Sequence, residues 1–152
     1  MQRCTDQACV GRPHRPMRPS KLLVARLRAL WNPLEVLNLH PHVVVHYRQV
    51  EPISTYGSSR RGRKYHLGRI HYFVQLLREG VELEPISIDN DCGEGRILPV
   101  PVVCDGNHRF VAHILTGRAT IRAHYSGRED LLRYLEGKRK TLPKECGTLH
   151  QE

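Results

Sequence analysis

The chain has 152 residues, room for one domain with a single core and not comfortably for two. Hydrophobic residues make up 39% and charged residues 26%, an ordinary globular balance, and apolar runs such as Val43-Val44-Val45 are far too short to span a bilayer. Lys and Arg number 24 against 15 Asp and Glu; the formal charge of +9 speaks about partners rather than fold, and nucleic acid, nucleotides or an acidic protein stand against the plain alternative of a merely basic protein.

Residues 1–19 carry Arg3, Arg12, Arg15, Arg18 and three prolines with little apolar content, and read as a flexible basic arm. The stretch has no apolar h-region, so no secretory signal is expected and a cytoplasmic location is, with no membrane partner. Ser20 reads as the N-cap of an amphipathic helix over 21–31, with Leu22, Leu23, Leu27 and Leu30 at helical spacing and Pro33 as its stop. The β-branched run 43–50 predicts a strand, and 52–63 a loop rich in Gly, Ser and Arg. The clearest helix is 65–79, where Leu67, Ile70, Val74 and Leu77 form one face and Gly80 is the C-cap.

Residues 85–89 alternate like a strand, 90–95 form a turn, and 97–104 predict a second strand of a hairpin, paired from Val102 onward because Pro99 and Pro101 lack donors. Asp105-Gly106 ends that strand. A helix follows over 107–116, capped by Gly117, then a strand over 120–125 and a short helix over 129–135. Residues 138–152 read as a basic, then polar, tail. The expected organisation is one α/β (α+β) domain over 20–137, a small mixed sheet with flanking helices, between the arm 1–19 and the tail 138–152.

Five cysteines, Cys4, Cys9, Cys92, Cys104 and Cys146, form no CxxC pair. Free thiols in a reducing compartment are expected rather than a zinc site.

The chemistry concentrates at Asp105-Gly106-Asn107-His108-Arg109. A strand running through a glycine turn into a helix aims unpaired backbone N–H groups at one point, and the helix dipole adds roughly half a positive charge there. Gly106 permits close backbone approach. Arg109 offers a planar fork for phosphate oxygens. His108 can donate to a phosphate or move a proton near neutral pH. Asp105 can cap the helix, bind Mg²⁺ or act as a base. The plainer roles are an N-cap for Asp105 or Asn107 and an ion pair between Arg109 and a surface acid such as Glu94.

This eight-residue stretch, Asp105 to Ala112, is similar to the D-G-x-H-R motif of the ParB/sulfiredoxin-like superfamily. The passage Val81-Glu82-Leu83-Glu84-Pro85-Ile86 resembles that family's helix–Gly–Pro–strand segment, and 117–121 its turn into the next strand, so the likeness covers roughly 43–125. The resemblance implies a fold in which the motif cradles nucleotide phosphates, among members that include sulfiredoxins, CTP switches of ParB type, free-serine kinases and proteins described as nucleases. Gly106, His108 and Arg109 match its phosphate-binding positions, and Asp105 the acid of its kinase-like members. Asn107 stands where sulfiredoxins carry a reactive cysteine, so their nucleophile is missing; Cys104 is expected to be buried on the strand and a poor substitute. Only about 25 residues follow Tyr125, too few for the helix-turn-helix domain of centromere-binding members, and a stand-alone module is expected.

A second basic cluster, Arg60, Arg61, Arg63, Lys64 and Arg69, lies at the start of the long helix, with Tyr65 and His66 able to stack on a base or ribose. It reads as a solvated loop, as a second wall of the phosphate site, or as a contact for nucleic-acid backbone. The expected function is binding of a nucleoside di- or triphosphate, ATP or CTP among the candidates, with Mg²⁺ and with phosphate hydrolysis or transfer. Gly106, Asn107, His108, Arg109 and Lys64 would hold the phosphates, Asp105 the metal, and Asp105, His108 or Glu51 would carry the chemistry. The alternatives are a non-enzymatic DNA-binding accessory protein of plasmid or phage type acting through Arg60, Arg61 and Arg63, and a nuclease.

Overall fold

A computed structural model describes residues 18–39, 59–90 and 100–144. Its elements are β1 (Ser20–Leu23), α1 (Val24–Leu30), α2 (Pro33–Val36), α3 (Ser59–Arg78), β2 (Ile86–Asp89), β3 (Val103–Asp105), α4 (Asn107–Leu115), β4 (Thr120–Ser126) and α5 (Glu129–Leu135). The four strands form one mixed sheet in the order β1-β4-β2-β3. β1 runs antiparallel to β4, β4 parallel to β2, and β2 antiparallel to β3. The expected α/β class, a small mixed sheet with flanking helices, is what the chain forms.

The sheet face is written in the alternation of its strands. On β4, Ile121 and Ala123 are buried while the alternating Arg122 and His124 are not. These residues join Leu22, Ile86, Ile88 and Val103 under α1, α5 and the completely buried Phe110 of α4. A second apolar cluster unites α4 with α3: Val111 and Ala112 meet Leu67, Ile70, Val74 and Leu77. α4 is thus packed on both sides, which fixes its first turn against both the sheet and the long helix.

The start of the chain departs from the helical reading. Residues 20–23 are extended, not helical, and Ser20 caps nothing: Ser20–Leu23 pair with Ala123 down to Thr120. Leucines at helical spacing also satisfy a strand that buries Leu22 and then turns into α1, and hydrogen bonds to β4 decide between them. Pro33 does not act only as a stop. It opens α2, where a proline costs no hydrogen bond, and Asn32 accepts from the Leu34 N–H at 3.2 Å as N-cap. The long helix begins at Ser59 rather than 65, so 59–63 are helical and not loop. The strand proposed for 43–50 and the turn over 91–95 lie outside the described residues. Gly80 ends α3 as expected, at φ +82°, with Gly80 and Val81 donating to the carbonyls of Leu77 and Leu76. Among the described residues, no helix is long and apolar enough to cross a membrane.

Candidate phosphate-binding site

β3 ends at Asp105 and α4 starts at Asn107, so one residue makes the entire connection. Gly106 does this at φ +101°, and it is also the N-cap; neither Asp105 nor Asn107 caps the helix. A Cβ here would lie 2.5 Å from Ile86 Cγ2 and 2.9 Å from Arg109 Nη2, so conformation and space both demand glycine. The first intrahelical bond of α4 runs from the Phe110 N–H to the Gly106 carbonyl at 2.9 Å, and no side chain caps the turn. The N–H groups of Asn107, His108 and Arg109 therefore have no acceptor within the helix and face outward with the positive end of its dipole.

Asp105, Gly106, His108 and Arg109 of this turn line a cleft of about 480 Å³ together with α3 and residues 81–84. Its lining mixes the polar side chains Arg69, Glu82, Glu84, Asp105, His108 and Arg109 with the apolar Phe73, Leu76, Val81 and Leu83. A larger depression of about 1170 Å³ runs along α1, lined by Leu30, Trp31, Val36, Val100 and Ile114 among others. Of the arginines that also line it, Arg26 is bound to the carbonyls of Tyr134 and Arg139 and Arg118 to that of Leu77.

Arg109 is anchored rather than free. Its side chain is 11% exposed and lies 3.3 Å from the Asp105 carboxylate and 3.8 Å from that of Glu84, not Glu94, which falls outside the described residues. Both carboxylates are well exposed, so these pairs orient the guanidinium more than they neutralise it. Arg69 comes in from α3, its guanidinium 4.6 Å from the centre of the Phe73 ring.

His108 meets His66 of α3, with Nε2 and Nδ1 2.7 Å apart, and Tyr65 packs edge-on against His108. A bond between two imidazole nitrogens needs one donor and one acceptor, so at least one ring is neutral. Burial, helped by His66, Arg69 and Arg109 nearby, pushes the His108 pKa down to about 4 against a weaker opposing pull from Asp105. Burial also lowers His66. His108 is thus a neutral hydrogen-bonding group at pH 7. His113, one turn further on, donates through Nδ1 to the Arg109 carbonyl at 2.7 Å and ties the second turn of the helix.

Asn107 does not aim its amide at the cleft. Its Oδ1 accepts from Trp31 Nε1 at 2.9 Å and its Nδ2 donates to the Val103 carbonyl at 3.3 Å, so only its backbone N–H is left for a phosphate. Lys64 is exposed and does not line the cleft. Arg60, Arg61 and Arg63 fall in the first turns of α3, and their side chains lie outside the described residues, as does Glu51. Asp105 keeps a side chain 73% exposed at the cleft mouth. Among the described residues no three His, Cys, Asp or Glu side chains gather to hold a metal. A Mg²⁺ here would take Asp105 and complete its shell with phosphate and water oxygens, a normal arrangement for that ion.

Cys104 is exposed, not buried: β3 turns Val103 inward and Cys104 outward. Partial burial and the carboxylates of Asp89 and Asp105 push its thiol pKa up, so it remains a poor nucleophile for a different reason than expected.

Sequence reasoning missed Trp31 and Glu84 as supports of the motif and did not pair His66 with His108. No local pattern links residues 42 apart on two helices. Comparison with protein-family models, with curated proteins and with solved structures finds no match to this chain.

Proposed function

We propose that this chain is a nucleotide-binding module of the ParB/sulfiredoxin-like kind, in which the turn Asp105–Arg109 holds the phosphates of a nucleoside di- or triphosphate together with Mg²⁺. The observation that carries the reading is the uncapped N-terminus of α4, opening at Gly106 onto a cleft that also holds Arg69, His108 and Arg109. Phe73 and Leu83 in the same cleft offer a base or ribose apolar contact, so one cleft has both kinds of group that a nucleotide needs. A cytoplasmic setting, where such ligands are abundant, goes with this reading.

The activity that fits is hydrolysis or transfer of the terminal phosphoryl group. An oxygen of water or of an acceptor hydroxyl bonds to phosphorus while the bridging P–O bond breaks, and its electron pair leaves on the nucleoside diphosphate. The proton of the attacking oxygen goes to solvent or to the exposed Asp105 carboxylate. His108, neutral at pH 7, positions a phosphate oxygen and takes no proton.

Titration calorimetry with ATP, ADP, CTP and GTP, each with and without Mg²⁺, tests the binding. At least one should bind wild type and bind the folded His108→Ala variant more weakly. Equal heats from wild type and His108→Ala for every ligand that binds, or no binding at all, contradict the reading. Phosphate release with Asp105→Asn tests the activity.

A further inference from the structure

The basic tail expected from residue 138 is, over its first seven residues, a strap fixed to the domain. Gly137, at φ +83°, ends α5, and the N–H groups of Gly137 and Lys138 donate to the carbonyls of Tyr134 and Arg133. Arg26 of α1 lays its guanidinium 4.3 Å from the centre of the Tyr134 ring and donates to the carbonyls of Tyr134 at 2.6 Å and Arg139 at 2.7 Å. Arg128 donates to the Lys144 carbonyl at 3.2 Å, and Pro143 is buried. Three arginine-to-carbonyl bonds and two turn bonds thus hold the backbone, while Lys138, Arg139, Lys140 and Lys144 all stay exposed.

A run of cations after a helix has a simple structural explanation: they complement the carbonyl end of its dipole. Here backbone N–H groups and Arg26 already satisfy those carbonyls, so the lysines are not needed as caps. No acidic residue occurs from 137 to 144. Glu136 pairs with Lys138 at 3.3 Å, yet Lys138 remains 65% exposed, and Lys140 and Lys144 form no ion pair among the described residues. Arg133, exposed near the end of α5, extends the patch; Glu129 and Asp130 of the first turn line the same hollow as Arg133, Lys138 and Arg139, with Asp130 held by Arg128 at 2.8 Å.

We propose that the strap 137–144, with Arg133, is a docking surface for the phosphate backbone of nucleic acid. A backbone held in place and presenting several exposed cations matches an array of phosphates and carries no group that would read a base sequence. An anionic membrane fits less well. Surface-bound segments need an apolar face, and the strap exposes one apolar side chain, Leu142. The surface shares no lining residue with the phosphate cleft and does not depend on it.

The test follows binding of a fluorescent mixed-sequence DNA duplex, and of an RNA of the same length, to the full chain across a salt series. The triple variant Lys138→Gln, Lys140→Gln, Lys144→Gln should give a log K against log salt slope shallower by about 2.7, about 0.9 for each phosphate lost. Arg133→Gln alone, which keeps the Arg133 carbonyl that the strap's N–H groups use, should flatten it by about 0.9 and keeps the test open if the triple variant does not fold. His108→Ala should bind the duplex as wild type does, which separates this surface from the cleft. Slopes unchanged in both basic variants, or binding to vesicles of phosphatidylserine and phosphatidylcholine without binding to either nucleic acid, overturn the proposal.

Discussion

At the Asp105–Arg109 turn the cation is buried and already oriented: Arg109 is 11% exposed and held by Asp105 and Glu84, and His108 is kept neutral. On the strap 137–144 the arrangement is reversed, with the arginines Arg26 and Arg128 bound to carbonyls while Lys138 stands 65% exposed. In sequence the turn carries one acid and one arginine, and the strap four cations with no acid; the fold partly buries the turn's arginine and leaves the strap's cations exposed. Partly buried, preorganised donors act at short range and are little screened, so they suit one small anion in one orientation. Exposed lysines act through water, suit an extended polyanion, and weaken as salt rises.

The largest effect that sharpens this contrast is expected at Gly106. Gly106→Ala adds positive-φ strain to a clash with Ile86 and should destabilise the fold by about 2–4 kcal/mol in urea unfolding. Gly80→Ala and Gly117→Ala, which have positive φ but nothing within 4 Å of the new Cβ, should cost only about 1 kcal/mol each. Three equal losses would mean that the tight packing of the phosphate turn is not a real distinction.

Next comes Arg109→Ala, which should weaken binding of a nucleotide by about 1.5–3 kcal/mol, the range for a charge-assisted contact, while leaving the salt slope of duplex binding alone. A matched loss in both assays would merge the two regions into one.

The third effect is a pH dependence with a defined sign. Because the folded pKa of His108 lies near 4, below the ordinary 6.5, the unfolded chain takes up a proton first as pH falls. Stability should therefore drop between about pH 6.5 and 4, with His66 and His113 contributing in the same direction. His108→Gln should flatten part of that slope in thermal unfolding at a series of pH values. A slope identical to wild type would place His108 in water. The smallest effect is expected at Cys104→Ser: exposed and with a raised pKa, the thiol should be dispensable for nucleotide binding.

Much of the scaffold was legible in the sequence. The helix over 129–135 appears with those bounds because Leu131 and Leu135 are one turn apart and nothing competes for the segment. The strand–glycine–helix unit at 105–107 was legible because Gly106 has few other uses between an apolar strand and an amphipathic helix. Ser20–Leu23 misled because its leucines fit both periods, and the partner that decides, β4, lies far along the chain. Asn107 looked like a phosphate ligand until Trp31, 76 residues earlier, took its carbonyl oxygen. Cys104 was placed on the right strand but the wrong face, since a three-residue strand carries too short an alternation to set its own register. Local chemistry could be read, whereas side-chain pairings across elements could not.

The most direct measurement is a titration of the ¹⁵N-labelled chain with Mg²⁺-nucleotide, followed through its backbone amide resonances. The account predicts that the amides of Asn107, His108 and Arg109 shift first and most, saturate together, and shift little in the folded His108→Ala variant, while the amides of 138–144 stay still. Shifts confined to 138–144, or none at 107–109 with a nucleotide that binds, would contradict it.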